Sequence, residues 1–185
     1  MTSITANEIS AAEGQSKIVL NPLKGIRFVG IELPAINAAT ISALLIAGAA
    51  ATLAFDLFGQ ALSPLAGFAK LAPVGLAKGS INTIFGTVPK GSGELLHYLV
   101  GLVGYPVGWL FFWQPLQQRV APFVPWLLSA AVYGVFLWAF ALYGMAHLVV
   151  GLKPFLGFTG ITWVALVGHV LFAVVAAAVF RQQTR

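Results

Sequence analysis

The sequence predicts an all-α integral membrane protein, a four-transmembrane-helix antiparallel bundle with an interfacial or re-entrant segment between helices 1 and 2. Three observations carry that prediction. The composition, 59% hydrophobic against 8% charged with a mean hydropathy of +0.91, leaves too little polar surface for a water-facing exterior. Four apolar stretches each reach the ~20 residues that a bilayer crossing needs. The connections among the last three stretches are short, which makes those helices antiparallel neighbours.

Residues 1–34 read as a polar N-terminal tail, without the apolar core of a signal peptide. Residues 35–180 form a single membrane domain, with helices expected at 35–58, 93–113, 122–151 and 159–180, and 181–185 is a basic C-terminal tail. Between the first two helices, residues 61–92 contain Pro64, Pro73 and Pro89 with several glycines, too broken for a spanning helix and too apolar for a free loop. An echo runs through this segment, Pro64 to Lys70 and then Pro73 to Lys78, and predicts amphipathic turns whose lysines snorkel to headgroups. Pro106 should kink the second helix.

Lysine and arginine set the expected orientation. Six (Lys17, Lys24, Arg27, Arg119, Arg181 and Arg185) fall on one side and four (Lys70, Lys78, Lys90 and Lys153) on the other, which places both termini on the cytoplasmic side. The net charge of +5 suits anionic lipid headgroups, so the bilayer is the first expected partner. No basic block with interleaved aromatics occurs in a soluble segment, and nucleic acid is not expected as a partner. Cysteine is absent, which removes disulfides and thiolate ligands.

Small residues at helical spacing mark the close-packing faces. On the first helix these are Ala43, Ala47 and Ala51 beside a polar line of Thr52, Asp56 and Gln60. The second carries His97, Gly101, Gly104 and Gly108, with Glu94 one turn above. The third carries Tyr133, Phe140, Gly144, His147 and Gly151, and the fourth Thr162, Ala165, His169, Ala173 and Ala176. Each histidine thus belongs to the packing face of its helix. Asp56, Glu94, His97 and His147 fall near the same leaflet, whereas His169 lies roughly 15 Å inside at 1.5 Å per residue.

Intramembrane ionisable residues point to function, and four readings compete for this cluster. Asp56, Glu94, His97 and His147 form a carboxylate and imidazole ligand set suited to a divalent metal, with Glu94 and His97 on one helix face. His97 and His147 could instead sandwich a haem b, with His169, one turn after Ala165, as a further tetrapyrrole position. The same groups could relay protons, or act as structural hydrogen bonds between helices. No phosphate loop, His-Glu-x-x-His or Gly-x-Ser-x-Gly motif occurs, so no residue is assigned a catalytic role and enzymatic activity stays open.

This layout resembles the small helical anchors and accessory subunits of respiratory and photosynthetic complexes, in helix count and histidine placement but in no shared motif. The resemblance implies a non-catalytic accessory or anchor subunit of a bacterial inner-membrane assembly that associates with other membrane subunits or with itself, with a haem b or metal ion as candidate cargo. The alternative is a small proton- or metal-coupled transporter acting as an oligomer, because one four-helix unit encloses little volume.

Overall fold

The computed structural model of the chain describes residues 27, 28 and 31–183, so most of the expected N-terminal tail and the last two residues of the C-terminal tail lie outside the described residues. A short antiparallel ladder comes first, β1 (Arg27–Phe28) with β2 (Ile31–Glu32). Everything after it is helical or connecting. Four helices are long and apolar enough to cross a membrane: α1 (Ala38–Leu65), α3 (Ser92–Val120), α4 (Trp126–Val149) and α5 (Gly160–Gln183). The amphipathic α2 (Pro73–Phe85) stands between α1 and α3.

The helix ends follow from local chemistry. Asn37 caps α1, its Oδ1 accepting from the Thr40 amide at 3.0 Å. Pro73 opens α2 at a position where its missing N–H is not needed, and Gly86 closes it at φ +81°, a conformation that favours glycine. The echoed Pro64 and Pro73 segments therefore have different fates. The first completes α1, and only the second starts a helix of its own.

Proline also explains why α1 and α3 run longer than their expected limits at 58 and 113. Each of Pro64, Pro106 and Pro115 follows a π-helical stretch, at Phe58–Leu62, Val100–Gly104 and Gly108–Trp113. A proline has no N–H to give to the carbonyl four residues back, and the adjoining amides reach one residue further instead. The amides of Ser63, Tyr105 and Gln114 bond to the carbonyls of Phe58, Val100 and Trp109. The helices continue through these sites in π-helical winding.

Packing order decides where the interior lies. α5 runs along both α1 and α4, and α1 also runs along the first half of α3, giving an arc in the order α3, α1, α5, α4. Glycine allows the close approaches. A Cβ at Gly48 would strike the Leu102 backbone between α1 and α3, and one at Gly134 would strike His169 and Val170 between α4 and α5. The expected small-residue faces of α1 and α5 are buried, through Ala43, Ala47 and Ala51 on one and Ala165, Ala173 and Ala176 on the other. The other faces expose large apolar side chains such as Leu53, Leu57, Leu148 and Val167, as a hydrocarbon surrounding allows.

The two ends of the arc, α3 and α4, meet through side chains rather than by close backbone approach. Tyr133 donates to the Tyr105 carbonyl at 2.7 Å and Trp113 to Ser129 Oγ at 3.1 Å. Toward the other end, α2 bridges the gap, packing on the start of α3 and on the end of α4. At that end a Cβ on Gly93 would meet Lys78 and Val74 at 2.9 Å. The arc therefore encloses a space bounded by α2 on one side and an aromatic layer on the other.

Candidate functional site

That space is a cavity of about 470 Å³. Four helices of the arc and α2 all contribute wall residues, among them Phe55, Leu76, Val100, Met145 and Phe172. The α4 wall comes from a ten-residue π-helical stretch, Phe140–Val149, whose wider turns carry Phe140, Ala141, Leu142 and Met145 to the cavity. The turn before α5 supplies Leu156. It is wound in the left-handed sense, with φ of 48° at Phe155, 54° at Leu156 and 55° at Phe158, a conformation that costs about 1–2 kcal/mol per non-glycine residue. Thr162 offsets part of this by donating to the Phe155 carbonyl at 2.6 Å, and Trp138 stacks on Phe155 with ring centroids 4.7 Å apart.

Polar groups on this apolar wall are few. His97 on α3 places Nε2 3.1 Å from both carboxylate oxygens of Asp56 on α1, and Gln60, one turn along α1, donates to Asp56 Oδ1 at 2.8 Å. A carboxylate facing Nε2 puts the imidazole proton there and leaves Nδ1 as the spare ring nitrogen. The pair is partly accessible, with 12% of the His97 side chain and 19% of the Asp56 side chain exposed.

His169 on α5 is 6% exposed and lines the same cavity. Its Nδ1 lies 2.7 Å from the Ala165 carbonyl, which can only accept, so Nδ1 carries the proton and Nε2 has no partner among the described residues. Phe55 contacts both imidazoles, with its ring centroid 6.4 Å from that of His97 and 5.0 Å from that of His169. Tyr105, whose ring centroid is 6.3 Å from His169, also lines the cavity. Thr52 Oγ1 is buried without a partner, covered by Gly101 of α3. Glycine at 101 lets α3 close over the hydroxyl, where any Cβ would collide with it.

The structure brings together two of the four expected metal ligands, Asp56 and His97. Glu94 is exposed. His147 instead turns Nδ1 to the Leu152 carbonyl at 2.7 Å, satisfying a backbone group of the connection that follows α4. Among the described residues no group of three or more His, Asp or Glu side chains comes together in a metal-holding arrangement. The stripe that aligned His147 with Tyr133 assumed an α-helical period, and the π-helical winding from Phe140 onward changes the phase. The histidines that share the cavity are His97 and His169, not the expected facing pair of His97 and His147.

Tyr105 is the residue that the sequence reading missed. It stands eight residues after His97 with the π-helical stretch Val100–Gly104 between them, so α-helical spacing alone did not place it on the His97 face. Comparison of the chain with protein-family models, with curated proteins and with solved structures finds no match.

Proposed function

We propose that this chain is a non-catalytic accessory or anchor subunit of a bacterial inner-membrane assembly. In this reading it is an antiparallel four-span bundle with α2 at the membrane interface and both termini in the cytoplasm, and it holds one small lipophilic molecule inside the helix arc. The cavity is the observation that carries the reading. Pockets of 300–1,000 Å³ with mostly apolar walls and a few placed polar groups are the usual form of small-molecule sites, and this one fits in size and chemistry. A structural bundle of small-residue stripes would be expected to close such a space, since helices in membranes gain by packing.

Extraction in mild detergent followed by native mass spectrometry tests it. The expected spectrum contains the chain with one small-molecule adduct and, before harsh activation, with its neighbouring subunits. A bare chain with neither adduct nor partner would overturn the reading. Ala141→Phe, which places a ring in the cavity, should remove the adduct without removing the partners.

The Asp56–His97 pair favours the second reading, a small proton-coupled transporter acting as an oligomer. A carboxylate that orients an imidazole and leaves its second nitrogen spare is an arrangement suited to moving a proton. Proton flux in liposomes that stops with Asp56→Asn would support this reading. A metal ion at the pair would need further ligands, from solvent or from another chain.

A further inference from the structure

We infer that the occupant is a lipophile bearing a hydroxyl group, taken laterally from the bilayer between α3 and α4 and held through His169 and Tyr105. This inference rests on the cavity-binding reading above and names the class of ligand. The walls exclude most other classes. No lysine or arginine lines the cavity, and the one carboxylate nearby is already engaged by His97 and Gln60. A phosphate or carboxylate headgroup would enter without a counter-charge, at a desolvation penalty that apolar contacts do not repay.

A pure hydrocarbon is disfavoured for the opposite reason. It would leave the His169 Nε2 unpaired at 6% exposure, and a buried acceptor without a partner costs about 1–3 kcal/mol. The Tyr105 hydroxyl likewise has no hydrogen bond among the described residues, since the contact it makes with Tyr133 is through its backbone carbonyl. His169 Nε2, an acceptor, and the Tyr105 hydroxyl, a donor, together complement a single hydroxyl group, which donates one bond and accepts another, and His97 Nδ1 and Thr52 Oγ1 remain as further polar groups on the wall.

Access follows from the arc. α3 and α4 lack close backbone approach, and Phe140, half-exposed on α4, stands with Leu96 of α3 among the wall residues. α2 closes one end of this gap and the Tyr133, Trp109 and Trp113 layer the other, with the Trp109 and Tyr133 ring centroids 5.5 Å apart. What remains is a side opening toward lipid.

The test is equilibrium titration of the purified full chain in detergent with para-nonylphenol and with its methyl ether, which has the same apolar body and no O–H to donate. The phenol is expected to bind about tenfold tighter, the size of one hydrogen bond to a buried acceptor. His169→Phe, or His169→Leu if the first variant does not fold, should abolish that preference, so that phenol and ether bind alike. Equal binding of phenol and ether to the wild-type chain overturns the hydroxyl inference and leaves the cavity-binding reading standing. A preference that survives both His169 variants also overturns it. Binding of neither probe means that the space holds at most water, and it overturns both readings.

Discussion

Asp56 is the one carboxylate that ties α1 to α3, and it does so through two donors at once, His97 Nε2 and Gln60 Nε2. Asp56→Asn keeps an oxygen that accepts from His97, so its expected effect on stability is within about 1 kcal/mol, whereas Asp56→Leu leaves two donors unsatisfied and should cost about 1–3 kcal/mol. Thermal unfolding in detergent measures both, and equal losses would show that the pair does not hold the helices together. Thr162 is the second test at this scale. It is fully buried and donates to the Phe155 carbonyl of the left-handed turn, so Thr162→Val should destabilise by about 1–3 kcal/mol. A variant that melts with wild type would place the support of that turn in the Trp138 and Phe155 ring contact instead. Asp56 and His97 were legible as members of an expected four-residue cluster with Glu94 and His147, because ionisable residues stand out in apolar runs, but the sequence did not single out the two as a pair. Tyr105 was not, because an aromatic side chain in such a run reads as lipid-facing, and the π-helical winding at Val100–Gly104 that separates it from His97 is not visible in the spacing.

Helix winding sets the limit of what spacing could reveal. On α5, which is α-helical throughout, the row Thr162, Ala165, His169, Ala173 and Ala176 is buried as its period requires. On α4 the row held for Tyr133 and for Phe140, which lines the cavity, but not for His147, because the winding changes from Phe140 onward and no proline marks the change in advance. α3 gives a sharper case. Gly101 lies against Thr52, while Gly104 is exposed and approaches only Val100 of its own helix. Gly101→Leu is therefore expected to push α3 off α1 and destabilise by about 1–3 kcal/mol, and Gly104→Leu to be tolerated. The expected reach of the whole glycine row is corrected accordingly. Detergent melting curves of the two variants compare the sites directly, and the reverse ranking would contradict the packing of α3.

Across the whole molecule, four helices long and apolar enough to cross a membrane were legible because length and hydropathy suffice to find them, whereas the arc and its cavity were not, because they depend on which helix pairs stay apart. The proposed topology puts α2 on the opposite side from the C-terminus. Single cysteines at Thr83, exposed on α2, and at Gln182, exposed at the end of α5, should be labelled by an impermeant thiol reagent from opposite faces of sealed vesicles. Labelling of both from one face would contradict four crossings. The aromatic layer and α2 then bound a space that opens sideways rather than to water, which joins topology to the proposed function. Photolabelling in native membranes tests that claim most directly, with a long-chain phenol carrying a diazirine at its ring and unlabelled para-nonylphenol as competitor. Crosslinks are expected on the inward residues of α3 and α4, such as Leu96, Val100, Ala141 and Met145, and should disappear with the competitor. Crosslinks confined to outward residues such as Leu53 and Leu148, and indifferent to the competitor, would contradict a ligand inside the arc.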